Sequence, residues 1–367
     1  MATAKASQGQ VAVLPGVDDR GTPIFSVLVK RTYRIVPGQP AVRAEADGPL
    51  IAADQYFGGG DPETTTVRQE SDRVPYKPAT DVVVIGQVHA PPGRSLTVTD
   101  AGVQVGTHRK VIRAFGDRQC RFRSGRDPVV TEPTPFQTLE LRYERAYGGV
   151  DRHSDPVMPF YYPRNALGCG VAVNNVREAV EGLRLPNFED PQDLLTPERI
   201  VLGQRTRWNR QPLPQGFGWF PKTAYPRCSF LGAMPGDVVL DEPLREELLG
   251  LVPQQQIALA RQFRLPRFDV RFQRGASLGL AVPFLAGNEH VILIHLTPDG
   301  RLEFDLPNDP PRIMLDISLG ENELPPVLHT VCIRPEEGQV DLVWRGAHEY
   351  PGTDWLPEMK CLRVVVF

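Results

Sequence analysis

Proline sets the first limit on this fold. Of 367 residues, 37 are proline and 33 are glycine, against usual shares of about 5% and 7%. Proline has no backbone N–H and a fixed φ, so it is kept out of helix interiors and central strands. Breaks this frequent favour many short strands and ordered loops over long helices. Disorder is the competing reading of such a composition, but 41% hydrophobic residues in regularly spaced Val, Ile and Leu runs argue against it. Any disorder is confined to the first residues and a few loops.

The strands announce themselves by period. "IFSVLVKRTYRIV" (24–36) alternates apolar and polar positions over its second half, and "DVVVIGQVHA" (81–90) is a compact apolar run between turn residues. "RSLTVTDAGVQVGTHRKVIRAFG" reads as two or three strands separated by "DAG" and "GTH". "HVILIHL", "GRLEFDLP", "QVDLVW" and "CLRVVVF" return to β near the end. The proline-rich "GRDPVVTEPTPF" (125–136) is the best candidate boundary. It divides an N-terminal β domain, 1–130, from a second β-rich domain, 131–367, with a loop-rich middle and a helical pair near 241–263. The expected class is mainly β, with sandwich or barrel-like halves, long ordered loops and a few short helices.

Charge excludes some partners. The formal net charge of −3 gives no overall drive toward nucleic acid or an anionic membrane. No run reaches the roughly 18 apolar residues of a membrane helix, and the N-terminus lacks the apolar core of a secretory signal. A soluble cytoplasmic protein is expected. Five scattered cysteines without C-x-x-C suggest reduced thiols, not a disulfide framework or a zinc site.

Catalytic signatures are weak. His290 and His295 are five residues apart, which puts them on opposite faces of a strand and not around one ion. There is no G-x-S-x-G or H-E-x-x-H, and "YFGGGDPETTT" (56–66) lacks the lysine and spacing of a phosphate loop. Neither a catalytic residue, a cofactor nor a metal is assigned. The most uneven charge lies in 109–126, seven basic residues against one aspartate. There Arg121 and Arg123 are candidates for an anionic partner, with a solvated sheet face as the equal alternative.

"YERAYGGVD" (143–151) concentrates the question of function. Gly148-Gly149 invites a chain reversal, while Glu144, Arg145 and Asp151 have the chemistry of a binding site.

Several segments now fall into a recognisable order: "VKRTYRI", "ESDRVPYKPATDVVVIGQVHAPPG", "HRKVIRAFGDRQC", "LRYERAYGGVD", "NALGCG", "PLPQGFGWFPKTAYPR", "RLPRFDVRF" and "FLAGNEHVILIHLTPDGRLEFDLP". This order, over about 24–310, resembles the domain-of-unknown-function family 2169, bacterial cytoplasmic proteins encoded with type VI secretion components. The resemblance implies an adaptor or chaperone that loads toxic effectors onto the spike of VgrG and the PAAR tip protein. Carried over by position are Asp72, Pro75, Tyr76, Lys77, Pro78, Asp81 and Gly86, then Gly116, Asp117 and Arg118. Glu144, Arg145, Ala146, Tyr147, Gly148, Gly149 and Asp151 follow, then Asn165, Gly168, Gly170, Pro266, Phe268 and Asp269. The resemblance makes none of them catalytic, and a structural role is favoured for the 143–151 motif. Ala166 stands where the family has proline.

An adaptor needs an exposed apolar patch or an open sheet edge. Phe57, Tyr161, Tyr162, Trp219 and Phe220 are the loop aromatics able to supply one. The alternative is a hydrolase or carbohydrate-active enzyme with a convergent carboxylate pair, drawn from Asp61, Glu63 and Asp151. A structural component of the secretion machine is a third possibility.

Overall fold

The strand Pro23–Arg34 organises the molecule because both of its faces are covered. Val27, Val29 and Tyr33 point into the main apolar core. The alternate residues Ser26, Leu28, Lys30 and Thr32 take the other side, where Leu28 meets Leu50 and Val343. The chain is described here by a computed structural model covering residues 10–61, 63–122, 128–230, 269–317, 320–350 and 363–367. The expected helical pair at 241–263, together with Arg123, Pro266 and Phe268, lies outside the described residues.

The first sheet runs in the order Val11–Val17, Pro23–Arg34, Gln339–Glu349, Val327–Arg334, Thr80–Val84, Ala281–Val282, with Val42–Arg43 attached to the second of these. Its neighbours are antiparallel except Thr80–Val84 and Val327–Arg334, which run parallel. All five residues of Thr80–Val84 are buried, as a parallel central strand requires. A second, antiparallel sheet is ordered Phe188–Glu189, His108–Phe115, Val98–Val105, His290–Ile294, Arg301–Asp305. Val103, Ile112, Leu293 and Phe304 of this sheet join Val27, Val29, Leu342 and Trp344 of the first in one apolar cluster. A three-stranded sheet around Ile313–Ile317 adds Ile313, Leu315 and Val366 to the same core.

The mainly β expectation holds, with one qualification of shape. Among the described residues every sheet is an open path and none closes, so the halves are not barrels. The boundary at 130 also separates neither the sheets nor the main core. Strands from both sides of it pair in each large sheet, as in Pro23–Arg34 with Gln339–Glu349 and Val98–Val105 with His290–Ile294. "DAG" proves to lie inside one strand, and the turn falls at Gly106, whose φ of 57° lets the chain reverse before His108.

The middle region is built of two-residue strands and short 3-10 turns, as its prolines and glycines dictate. It has its own apolar cluster, which includes Tyr147, Phe160, Tyr162, Val171, Val180, Ile200 and Leu202. Among the described residues no helix is long and apolar enough to cross a membrane.

Candidate functional site

Within five residues the 143–151 motif joins two ladders. Tyr147–Gly148 pairs in parallel with Cys169–Gly170, and Val150–Asp151 pairs antiparallel with Phe160–Tyr161. The switch between them needs φ values of +147° at Gly148 and +108° at Gly149, open to glycine alone without strain. Space enforces the same choice. A Cβ on Gly148 would lie 2.0 Å from the Asn165 carbonyl oxygen, and one on Gly149 would lie 2.6 Å from that of Gly168. Asn165, fully buried, clamps the crossing by donating Nδ2 to the carbonyls of Tyr143 at 2.8 Å and Tyr147 at 3.2 Å. The Tyr147 ring meets Tyr162 edge to face at 5.1 Å.

The charged residues of the motif are occupied by the fold. Glu144 accepts the Thr66 N–H at 2.9 Å and also the Thr66 hydroxyl, which ties the motif across residue 130. Arg145 donates to Asn187 Oδ1 at 3.0 Å and sits 3.6 Å from Asp117. Burial and the neighbouring Arg184 hold its pKa below the ordinary arginine range. Asp151 is buried and accepts from the N–H groups of His153, Ser154 and Val173 and from the Ser154 hydroxyl. Burial alone would raise its pKa, but these donors outweigh it and leave the carboxyl below its usual range. Arg118 donates to the Pro186 carbonyl at 2.7 Å and pairs with buried Glu189. Gly116 passes so close to Thr134 that a Cβ would overlap its carbonyl.

The first motif block builds a second buried network. Asp72 takes the Lys30 ammonium at 3.0 Å and the Ile51 N–H at 2.8 Å, and Lys30 also lies 3.4 Å from Asp341. Lys77 bonds Asp81 at 2.6 Å and Thr330 at 3.1 Å, with the Trp219 ring 5.1 Å from its ammonium. Asp81 also accepts the Gly275 N–H at 2.9 Å. Beside them Glu70 and Arg227 form a two-pronged, fully buried ion pair, and Arg227 caps the carbonyls of Phe220 and Phe272. Lys30, Glu70, Arg227 and Asp341 were not among the expected site residues. Pro75 accepts from the Ser26 hydroxyl at 2.5 Å, the Tyr76 ring lies under Arg345, Pro78 is half-buried, and Asp269 caps a 3-10 turn at Arg271.

The loop aromatics divide, and most of them correct the sequence expectation. Tyr162, Trp219 and Phe220 are core residues: Tyr162 packs on Tyr147 in the middle region's own cluster, the Trp219 ring lies by the Lys77 ammonium, and the Phe220 carbonyl accepts from Arg227. Phe57 is half-buried under the Arg142 guanidinium. Tyr161 remains 55% exposed, and Arg121 is exposed.

A cleft of about 290 Å³ opens at the carboxyl ends of the parallel strands. Its walls include Phe57, Gly86, Arg68, Arg142 and Arg334, facing Glu140, Glu336 and Glu337. Most of these charges pair across the cleft, Arg142 with Glu140 at 2.8 Å, Arg334 with Glu337 at 2.9 Å and Arg68 with Glu337 at 3.7 Å, while Glu336 meets His89 at 3.2 Å. Asp61 and Glu63 share an exposed turn, where Asp61 accepts the Glu63 N–H, while Asp151 is buried in the motif; they do not line this cleft. His290 pairs with Asp305 and Glu303 across the sheet, whereas His295 turns to φ 54° and contacts the His89 carbonyl. Among the described residues no three His, Cys, Asp or Glu side chains are grouped to hold a metal.

No curated protein and no solved structure matches the chain. A family described as an uncharacterized protein conserved in bacteria (DUF2169) matches residues 20–345, which take in most of both large sheets, the buried network and the 143–151 crossing. The chain belongs to that family.

Proposed function

We propose that this protein is a non-enzymatic, cytoplasmic adaptor or chaperone of a bacterial type VI secretion system. It binds an effector's N-terminal region or a PAAR tip protein and loads it onto the VgrG spike. The observation that carries this reading is the segment around Tyr161, where Val157 is 89% and Met158 62% exposed beside Tyr161 at 55%. Large apolar groups held in water beside one another cost solvation unless a partner covers them. The motif charges, by contrast, are taken up in internal pairs and turns, which supports a scaffolding role for them. The reading is tested by co-expressing the chain with the PAAR-type protein and effector encoded beside its gene, followed by size-exclusion chromatography. A client that becomes soluble and co-elutes supports an adaptor. Clients that are soluble alone and never co-elute overturn it.

A further inference from the structure

The exposed segment does not stand alone. Residues 205–212 lie against it: Arg205 donates to the Met158 carbonyl, and the Tyr162 hydroxyl donates to the Trp208 and Pro212 carbonyls at 3.3 and 3.2 Å. This second segment opens with the 3-10 turn Arg205–Arg210, RTRWNR, which carries three arginines and no acid. Arg205 is committed to Asp155 at 3.1 Å. Arg207 and Arg210 are exposed and, among the described residues, have no carboxylate partner. Arg152 adds a further exposed cation 5.8 Å from the centre of the Tyr161 ring.

Exposed apolar side chains, with Arg152 near the Tyr161 ring and unpaired arginines on the turn whose Arg205 holds the Met158 carbonyl, are the composition of an interface hot region, not of a solvated loop. We infer that this surface binds a protein segment that is acidic and carries apolar side chains. The excess of positive charge selects an acidic occupant by complementarity. Val157 and Met158 select a protein over a nucleic acid, because aliphatic side chains offer no ring for a base to stack on. The inference deepens the adaptor reading and rests on it for the partner's being a secretion client; the chemistry of the contact does not depend on that reading.

The test uses the full chain and labelled peptides of equal length: alternating glutamate and leucine, alternating lysine and leucine, and alternating glutamate and serine, with oligothymidylate as a fourth probe. Fluorescence anisotropy should show binding of the glutamate–leucine peptide that weakens with salt. The double variant Arg207→Glu/Arg210→Glu should lose about tenfold in affinity, as should Val157→Ser/Met158→Ser. Both pairs are exposed, and an unchanged melting temperature shows that the variants still fold. No binding of the glutamate–leucine peptide, equal binding of the lysine–leucine peptide, tighter binding of oligothymidylate, or indifference to both double variants overturns the inference. A client that co-elutes equally with wild type and the arginine variant removes this surface and leaves the adaptor standing. Peptide binding that needs the arginines, with no co-eluting client, does the reverse.

Discussion

Gly148→Ala tests the crossing most sharply. The added Cβ would sit 2.0 Å from the Asn165 carbonyl oxygen, whereas real contacts of this kind stay beyond about 3.0 Å. One backbone segment must therefore retreat by about 1 Å. Two hydrogen bonds lie on the path of that retreat: Gly149 N–H to the Asn165 carbonyl at 2.8 Å, and Asn165 Nδ2 to the Tyr143 carbonyl at 2.8 Å. Each contributes about 1 kcal/mol, and holding alanine at φ +147° adds about 1–3 kcal/mol. The expected loss is about 3–5 kcal/mol, a large share of the roughly 5–15 kcal/mol that a domain has in total. Gly182 provides the control: its φ is +79°, yet nothing lies within 4 Å of the position a Cβ would take. Gly182→Ala meets only the conformational cost. Urea unfolding of the two variants, followed by tryptophan fluorescence, reads the difference. Equal midpoints for Gly148→Ala and Gly182→Ala would refute the argument that close approach at the crossing, and not φ alone, fixes this glycine.

Other consequences follow from the buried charges. Arg227→Met strands the Glu70 carboxylate in the interior and should cost about 3–5 kcal/mol in chemical unfolding, while Glu70→Leu combined with Arg227→Met should recover some of that loss. Arg145→Ala removes a bond to Asn187 and should lower stability by about 1 kcal/mol without any partner present; unchanged melting with lost client binding would move Arg145 to the interface. His329 is buried and accepts the Lys77 N–H, and burial, with Arg345 and Lys77 nearby, holds its pKa well below the ordinary 6.5. The unfolded chain therefore binds a proton that the folded one refuses. Stability from this residue is complete above 6.5 and falls on acidification by at most about 1.4 kcal/mol per pH unit until the folded value is reached. His329→Gln should flatten the unfolding midpoint over that window relative to wild type. Asp151 acts in the same direction at lower pH, since its lowered pKa makes its contribution full above the ordinary 3.8 and lost progressively as the pH falls from there through the lower folded value; Asp151→Asn should remove that acid-side slope.

Much of the sheet architecture was legible because local pattern and burial coincide in it. Pro23–Arg34, Thr80–Val84 and His290–Ile294 are apolar or alternating runs bounded by turn residues, so their existence needs no knowledge of the partner. Pairing is different. That Thr80–Val84 runs parallel to Val327–Arg334, far along the chain, is decided by the closing of the whole core and leaves no local mark. The boundary at 130 fails as a division between sheets for the same reason, since proline content reports a loop and not where a core ends. Burial of charge was also hidden. Lys30 occupies a polar position in an alternating strand, which reads as solvent-facing until Asp72 and Asp341 are seen to cover it. The split between Tyr161 and Tyr162 is local: they are adjacent in extended chain, so their side chains take opposite faces and only one can serve a surface. Arg207 and Arg210 carry no local signal, since charge density in the sequence peaks at 109–126, where Arg113 pairs with Asp100 and Arg118 with Glu189.

The central claim is that residues 143–151 build the fold while the surface around Val157, Met158 and Arg207 meets the partner. Hydrogen exchange, measured by mass spectrometry on the wild-type chain with and without its co-purified client, addresses both halves of that claim at once. The account predicts strong protection of 143–151 already in the free protein, with new protection on binding confined to about 152–161 and 205–213. Protection that appears on 143–151 only when the client is bound, with the exposed segments unchanged, would contradict it.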